Sequence, residues 1–449
     1  MPSGAIRNWK EENMRKTTHV RGVVLLALLG MVLAACGGTD ATTTTAPAAT
    51  TTTEGATTVT TGEPAGSLTL GGLLPETGSL AFLGPPEIAG ALLAVDDINA
   101  AGGVLGADVV WIPGDSGDTS TDIANTTVDG HLAAGVHAIF GAASSSVTFT
   151  VIDKITGAGV IQFSPANTSQ LLSTYDDSGL YFRTAPSDFL QGTVLADLVA
   201  ADGLTAGVIY RQEPYGEGLA ERFREVYESL GGEVTRFIAY PPEGVTTFDA
   251  EVDQLVEADP EVIVVISFEE GALILETMHA RGIGPASGKP VWGVDGNIGG
   301  LHTEMADPSI LAGMQGTTPS VDLSTITDFT ARLDGMVEGG LGGIYDYGAE
   351  TYDAVVITAL AAEVAGTLDP TEIAAQINDV TRGGEKCTTF ADCVALVQAG
   401  TDIDYDGIGG PYEFVDAGEP AAASYRVVTL GEDGPDDALN IYIQAELTE

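Results

Sequence analysis

The chain has 449 residues and a formal net charge of −47, with 64 acidic side chains against 17 basic ones. This length predicts two or three domains, since single cores stop growing beyond roughly 250–300 residues, and 44% of the residues are hydrophobic and can fill such cores. So acidic a surface argues against nucleic acid and anionic lipid headgroups as partners, because phosphate binding needs clustered Lys and Arg.

The first 35 residues have the layout of a secretory signal peptide. Basic residues up to Arg21 precede an apolar run from Gly22 to Ala35, which is shorter than the ~20 residues that span a membrane. The run ends at Cys36 and resembles the bacterial lipoprotein box, in which the signal is cut before an acylated Cys. An ordinary signal cut after Ala35 is the alternative, and Met14 is an alternative start. We expect an exported protein, lipid-anchored to the cell membrane on its cell-surface or periplasmic side.

Residues 36–66 are expected to form a tether behind this anchor. Of residues 37–66, 13 are Thr, and none is larger than Val, Pro or Glu. Such a composition cannot bury enough surface to offset the entropy of ordering it. The folded part of the protein is therefore expected to begin at Ser67.

From Ser67 onward, β-branched apolar runs alternate with segments of helical spacing. The first set is predicted as strand Ser67–Leu74, helix Glu87–Ala101, strand Asp108–Pro113, helix Thr121–Ala134, strand His137–Phe140, a helix from Ser144–Ser146 to Thr156, and strand Val160–Phe163. The second set is predicted as helix Asp188–Ala201, strand Ala206–Tyr210, helix Gly216–Leu230, strand Val234–Tyr240, helix Asp249–Glu257, strand Val262–Ser267 and helix Glu270–Arg281. Two later helical segments, Leu323–Val337 and Ala349–Ala365, suggest that the chain returns to the first set.

Buried strands separated by helices predict parallel sheets that are covered on both faces. Two such sets predict an α/β protein with two doubly wound lobes. The chain contains no nucleophile elbow, no HExxH and no phosphate loop, and the glycines at Gly102, Gly103 and Gly106 follow a helix rather than open one. We therefore predict no catalytic residue and no cofactor.

Six segments resemble, in the same order, the leucine/isoleucine/valine-binding family of ABC-transporter substrate-binding proteins, which have the type I periplasmic binding fold. They are AVDDINAAGGVLG (94–106), IFGAASSSVT (139–148), IQFSPANT (161–168), PYGEGL (214–219), WGVDG (292–296) and YDGIGGP (405–411). The resemblance covers residues 67–430 and implies two lobes, joined by three crossings, that close on an amino acid. Its crossings would lie near Ala185, Thr317 and Ser424, which places lobe 1 at residues 67–184 plus 318–424 and lobe 2 at residues 185–317 plus 425–449.

The resemblance implies ligand contacts on two turns of lobe 1. Ser144 and Ser145 would hold the ligand carboxylate at a helix start, where unpaired N–H groups and partial positive charge favour an anion. Ala166 would offer its backbone carbonyl to the ligand ammonium, Thr168 would add its hydroxyl, and Asn167 lies between them. A plain N-cap serine and a plain strand-to-helix turn are the alternatives.

In lobe 2, Tyr215 aligns with an aromatic residue that closes over the ligand. Asp295 would pair with the ligand ammonium, since an unpaired buried charge is costly; the family commonly has Glu here, and a solvated turn is the alternative. The second aromatic is either Phe268 or is replaced by Glu269, and a carboxylate there would favour a polar or cationic ligand. The tyrosine of the family's first loop is Leu83 in this chain.

Two further patterns are a cysteine pair that lies outside these segments and an acidic loop that overlaps the last segment. Cys387 and Cys393 predict a local disulfide in an exported protein. The spacing D-x-D-x-D-G-x5-E fits a calcium loop at Asp402, Asp404, Asp406 and Glu413. The family has this YDG-x-x-GP turn without needing metal, so we predict no metal site and keep calcium only as a candidate.

Together these features predict an extracytoplasmic solute receptor. It would bind an amino acid, branched-chain or similar, by hinge closure and deliver it to an ABC permease. We expect a monomer whose partners are the ligand, the permease and the membrane at its lipid anchor. The alternatives are a ligand-sensing domain for signalling, a binder of another small polar solute such as an amide or urea, and an enzyme that uses the interlobe carboxylates.

Overall fold

The computed structural model describes residues 66–447, so the predicted signal peptide, Cys36 and the tether up to residue 65 lie outside the described residues. The strands are β1 Thr69–Leu73, β2 Val110–Ile112, β3 Ala138–Gly141, β4 Ile161–Ser164, β5 Tyr181–Arg183, β6 Thr205–Arg211, β7 Glu233–Tyr240, β8 Val262–Ile266, β9 Val291–Gly293, β10 Gln315–Pro319, β11 Glu385–Cys387, β12 Ile403–Gly407, β13 Gly410–Pro411, β14 Ala422–Thr429 and β15 Ile441–Glu446. The α-helices are α1 Gly84–Ala100, α2 Ile123–Ala134, α3 Ser145–Gly157, α4 Asp188–Asp202, α5 Pro214–Ser229, α6 Asp249–Ala258, α7 Gly271–Arg281, α8 Asp295–Ile298, α9 Leu301–Glu304, α10 Thr327–Met336, α11 Gly348–Ala365, α12 Pro370–Ile377 and α13 Phe390–Gln398.

Lobe 1 is built on a five-stranded sheet of order β2-β1-β3-β4-β5, in which every pair is parallel. Helix α11, which belongs to the returning chain, packs against α1 in the core of this lobe. The close approach of the two helices requires glycine at position 90, because a Cβ there would collide with the carbonyl of Gly348. A separate small sheet, β11-β12-β13, lies in the same returning segment.

Lobe 2 is built on a seven-stranded sheet of order β15-β14-β10-β9-β8-β6-β7. Five of its strands are parallel, whereas β14 runs antiparallel to β10 and β15 antiparallel to β14. The sequence predicted a purely parallel sheet, and the difference arises because the chain re-enters lobe 2 from the opposite direction after its second visit to lobe 1. Antiparallel edge strands of this kind are common in doubly wound sheets.

The chain passes between the sheets three times, after Arg183, after Pro319 and before Ala422. The two doubly wound lobes and the three-crossing hinge are therefore confirmed, while the residue bounds of the lobes stay a prediction. The predicted elements up to Arg281 all have counterparts in the structure. The predicted helix Leu323–Val337 is divided, because a 3₁₀ turn at Leu323–Thr325 precedes α10.

Cys387 and Cys393 form the predicted disulfide, with their Cα atoms 5.3 Å apart. It joins β11 to the first turn of α13 in lobe 1. Within residues 66–447 no single helix is long and apolar enough to cross a membrane, although Gly348–Ala365 and Pro370–Thr381, which meet at a bend of 110°, reach that length and composition as a pair.

Candidate functional site

A narrow cavity lies between the two lobes. Its walls include residues of the loops that follow β3 and β4 in lobe 1 and β6, β8 and β9 in lobe 2. Seven of the eight residues predicted to contact a ligand line it: Ser144, Ser145, Ala166, Thr168, Tyr215, Phe268 and Asp295. The fold thus brings together turns that are up to 151 positions apart in the printed sequence.

The lobe 1 wall contains the N-terminus of α3. Ser144 is its N-cap residue, and the Ser144 side chain accepts a hydrogen bond from the Val147 amide at 3.4 Å. The amides of the first turn have no partner within the helix, and they carry its partial positive charge toward the cavity. The N-cap role and an anion-binding role are compatible, because the Ser144 hydroxyl can still donate.

The neighbouring turn after β4 supplies acceptors. Ala166 and Thr168 line the cavity, and the carbonyl of Thr168 accepts a hydrogen bond from the Asp188 amide at 2.7 Å. Asn167, which we also predicted as a ligand contact, is not among the lining residues. Its side-chain amide donates to the carbonyls of Ala142 and Ala143 at 2.9 and 2.8 Å, so it holds the β3 and β4 turns together instead.

Asp295 is the acidic group of the cavity, and its side chain is buried. Its Oδ1 accepts from Gln191 Nε2 at 2.8 Å and from the Tyr215 hydroxyl at 2.9 Å, while Oδ2 accepts from the Tyr347 hydroxyl at 2.7 Å. Among the described side chains, Oδ2 accepts from Tyr347 alone, so it can accept a further hydrogen bond. Burial raises the pKa of Asp295, and the three side-chain donors and the Gly296 amide oppose that shift.

Asp188, at the start of α4, is a second buried carboxyl close to Asp295. Burial raises its pKa well above the ordinary value, and the negative charge of Asp295 raises it further. Asp295, by contrast, accepts from three side-chain donors, which favour its ionised form. Negative charge near the cavity is therefore favoured on Asp295 over Asp188.

The rest of the wall is apolar. The rings of Tyr215 and Phe268 stack with centroids 5.4 Å apart, and Leu80 and Leu83 face them from lobe 1. Phe268, rather than Glu269, occupies the second aromatic position, since Glu269 is exposed and does not line the cavity. A polar or cationic ligand side chain is therefore not favoured at this wall.

Direct hydrogen bonds between the lobes surround the cavity. The Ser169 hydroxyl donates to the Pro214 carbonyl at 3.0 Å, and Gln170 Nε2 donates to the Gly218 carbonyl at 3.1 Å. Ser146 also donates to the Glu213 carboxylate. Together with the Tyr347–Asp295 bond, these contacts define a closed arrangement of the lobes.

Tyr347, Gln191 and Leu80 also belong to this site, although the sequence did not predict them. Tyr347 lies in the returning chain with φ of 60° and ends the turn before α11, and Gln191 lies one turn into α4. Leu80 precedes the helical turn Ala81–Leu83. None of these belongs to a spacing pattern, and only the returning chain's predicted position in lobe 1 could have suggested Tyr347.

The calcium-loop candidate has a different role in the structure. The Lys386 ammonium lies 2.9 Å from Asp404, 3.0 Å from Asp406 and 3.0 Å from Glu413, and so occupies the centre that a cation would need. The backbone carbonyl of Asp402 accepts from the Glu385 amide in strand pairing. Among the described residues, no group of three or more His, Cys, Asp or Glu is arranged to hold a metal ion.

Two α/β lobes that close on a buried cavity, with ligand-facing groups on both sides, define a two-lobed solute-binding protein. The chain belongs to the periplasmic binding protein family, whose model matches residues 67–435. This is a family of substrate-binding receptors.

Individual relatives differ in what their names state. A chemotactic signal transduction system substrate-binding protein, BasB of Halobacterium salinarum, is 27% identical over 386 residues, which is 82% of this chain and 88% of that protein. The leucine-, isoleucine-, valine-, threonine- and alanine-binding protein of Pseudomonas aeruginosa is 27% identical over 317 residues, 67% of this chain and 79% of that protein.

Solved structures share the fold at lower identity. LivJ of Streptococcus pneumoniae, in complex with isoleucine, has a TM-score of 0.69 at 22% identity and covers 84% of this chain and 100% of its own. A solute-binding protein of R. palustris in complex with 4-hydroxybenzoate has a TM-score of 0.68 at 16% identity and covers 85% of this chain and 97% of its own. The type I periplasmic binding fold is confirmed.

Proposed function

We propose that the protein is an extracytoplasmic receptor for an amino acid with a neutral apolar side chain, which it binds between its lobes. One observation carries the proposal: the cavity has a helix N-terminus in one lobe, a buried carboxylate in the other, and apolar residues between them. A zwitterion with an aliphatic side chain matches all three features.

The contacts follow from this match. The ligand carboxylate binds the first amides of α3 and the hydroxyls of Ser144 and Ser145. The ligand ammonium binds the open lone-pair site of Asp295 and the carbonyl of Ala166. The side chain packs against the wall of Leu80, Leu83 and Phe268.

The relatives support this ligand class and help to separate alternatives. The Pseudomonas relative is named for leucine, isoleucine, valine, threonine and alanine. Benzoates, which one structural neighbour binds, have no ammonium to pair with Asp295, so an anion would be repelled at this site. The same argument excludes simple carboxylates and weakens the case for urea or amides as ligands.

We further propose that the bound amino acid is delivered to an ABC permease, and that no covalent chemistry takes place. BasB, which aligns over most of this chain, is named for a signalling system, so a sensory role with the same binding step is the second candidate. Delivery would be tested by uptake of the labelled amino acid in cells that lack the protein. Uptake unchanged together with lost chemotaxis would favour the sensory role.

The N-terminal predictions remain part of the proposal. Export through the signal at residues 1–35 and acylation of Cys36 would attach the receptor to the membrane through the Thr-rich tether. Incorporation of a labelled fatty acid, lost in Cys36→Ser, tests the anchor. A monomer in solution is expected from light scattering of the purified protein.

Thermal unfolding in the presence of single compounds tests the binding site. A ligand at 100 times its dissociation constant should stabilise the protein by ~2.7 kcal/mol. We expect a shift with leucine, isoleucine or valine, and none with 4-methylvalerate or isopentylamine, which each lack one charged end. Asp295→Asn should lose the shift, whereas Asp108→Asn, a change at an exposed aspartate, should keep it. No shift with any amino acid would contradict the proposal.

A further inference from the structure

A buried ion pair lies against the aromatic wall of the interlobe cavity. Phe268 lines that cavity, and Arg211 Cζ lies 4.5 Å from the centre of the Phe268 ring. Arg211 Nη1 donates to Glu270 Oε1 at 2.8 Å. In the part of the chain that the structure describes, neither charged residue is among those that line the cavity. The pair therefore contacts the wall and not the space that a ligand occupies.

Arg211 presents a cation that is shielded from water. It is the last residue of β6 and is 3% exposed, and its Nη2 also lies 3.6 Å from the Glu243 carboxylate. A guanidinium is planar and is attracted to an aromatic face, most strongly where the cation is desolvated. The Phe268 ring is therefore attracted to a cation whose own position is fixed by the ion pair with Glu270.

Glu270 fixes the backbone of the same aromatic residue. Its Oε1 accepts from the Phe268 amide at 3.2 Å and from the Tyr240 hydroxyl at 2.7 Å, in addition to Arg211. Tyr240 is almost completely buried, so its hydroxyl has a fixed position. One carboxylate oxygen thus joins the ends of β6 and β7 to the turn that follows β8, and this turn contains Phe268.

The other contacts of the Phe268 ring are made by the site itself. The ring of Tyr215 stacks on it at an interplanar angle of 20°, and a Cβ on Gly296 would come within 2.9 Å of Phe268 Cδ1. Together with Arg211, these neighbours restrict the ring, because close-packed interiors leave little room for a second orientation. A rotation of the ring would change the surface that meets a ligand side chain.

We propose that Arg211 and Glu270 are positioning residues that determine ligand specificity, because they hold Phe268 in the orientation that fits a branched aliphatic side chain. They act through Phe268 and do not touch the ligand. This inference rests on the proposed function, since it concerns the selectivity of that same site. The charged ends of an amino acid bind elsewhere in the cavity, so the pair controls the preference for leucine over alanine rather than amino-acid binding as such.

The ratio of leucine affinity to alanine affinity, measured by titration calorimetry, tests this role. The two ligands have the same charged ends, so the ratio reports on the side-chain wall alone. Arg211→Met keeps a long side chain but removes the cation, and it should lower the ratio by about fivefold or more, as expected for a desolvated cation–π contact. Alanine affinity should stay nearly unchanged. Adding Glu270→Gln, which removes the unpaired charge, should leave the ratio equally low.

A double-mutant cycle shows whether the effect passes through the ring. Arg211→Met should not change the ratio further when Phe268 is already replaced by Leu, because the ring on which Arg211 acts is gone. The matched control is Arg281→Met, which removes ion pairs with Asp249 and Asp253 in the same lobe and should keep the wild-type ratio. Equal weakening of leucine and alanine, or additive effects of the two substitutions on the ratio, would overturn the proposal.

A measurement without ligand separates this inference from the proposed function. In protein with ¹³C-labelled phenylalanine, the NMR signal of the Phe268 ring is identified by its loss in Phe268→Leu. We expect one ring conformation in the wild type and in Arg281→Met, and exchange between conformations in Arg211→Met. An unchanged ring in Arg211→Met would overturn the inference even if leucine binds. Absence of leucine binding by the wild type would contradict the proposed function, and the ring measurement would still decide whether the ion pair positions Phe268.

Discussion

Replacing Asp295 by Asn separates the binding role of this residue from its structural role. The amide has the shape of the carboxylate. Its oxygen can still accept from Gln191 and Tyr215, which in the wild type donate to Oδ1 at 2.8 and 2.9 Å. The Tyr347 hydroxyl donates to Oδ2 at 2.7 Å in the wild type, and in the variant it can rotate to accept from the new NH₂ group. We therefore expect the unfolding free energy without ligand to change by no more than about 1 kcal/mol.

Ligand affinity should respond far more strongly. The open lone-pair site on Asp295 becomes an amide hydrogen that faces the ligand ammonium, and removing one partner of a buried charge pair costs about 2–5 kcal/mol. At 1.4 kcal/mol per factor of ten, the dissociation constant for leucine should rise by roughly 30-fold to several thousand-fold. Titration calorimetry measures the constant, and urea unfolding measures the stability. Unchanged leucine affinity in a folded Asp295→Asn protein would refute this assignment.

Three other perturbations test the charges and covalent links of the fold. The Glu350 carboxyl, with its pKa raised to about 8 by burial, binds its proton more tightly when folded than when unfolded. Relative to Glu350→Gln, the wild type should therefore lose roughly 5 kcal/mol of stability as pH rises from below the ordinary pKa to above 8, and parallel urea-unfolding curves against pH would contradict this. Arg183→Met leaves Glu419 buried without its ion-pair partner and should cost about 3–5 kcal/mol in urea unfolding, partly recovered by adding Glu419→Gln. Cys387→Ser opens a short disulfide loop and should cost ~2 kcal/mol; a reductant should lower the Tm of the wild type but not that of the variant.

Up to Arg281, the fold could be predicted from the sequence wherever an element was long enough to show its period. Later elements were not predicted, among them Pro370–Ile377, Phe390–Gln398, Ala422–Thr429 and Ile441–Glu446. Buried strands such as Val262–Ile266 have runs of β-branched residues, and helices such as Pro214–Ser229 have a clear apolar stripe. Short elements escaped: Tyr181–Arg183 and Val291–Gly293 have three residues each, too few for alternation to be visible. Antiparallel pairing of the last two strands depends on the direction of the returning chain, which local pattern does not encode.

Site residues could be predicted where they lie in turns that resemble those of the leucine/isoleucine/valine-binding family. They could not be predicted where the tertiary structure determines which groups a side chain contacts. Ser144 and Asp295 belong to such turns, and both line the cavity. Asn167 lies in one as well, but its amide is consumed by two backbone carbonyls. The spacing of Asp404, Asp406 and Glu413 fits a metal loop in the sequence. In the folded protein, however, the Lys386 ammonium lies between these three carboxylates.

The proposed ligand has enough interactions to decide whether the lobes are open or closed. Among the described residues, direct polar contacts join the lobes around the cavity, including those of Ser146, Ser169, Gln170 and Tyr347. Each contributes a net ~0.5–1.5 kcal/mol, which is comparable to the cost of ordering the side chains involved, so closure without a ligand is close to balanced.

Moving a two-state equilibrium from 1:99 to 99:1 takes about 5.5 kcal/mol. Two charge-assisted ends, one bound by the helix N-terminus of lobe 1 and one by Asp295 of lobe 2, supply about 1.5–3 kcal/mol each, and burial of an aliphatic side chain adds ~1.5–3 kcal/mol. Because these gains require both lobes at once, a ligand that lacks either charged end is not expected to drive closure or to bind measurably.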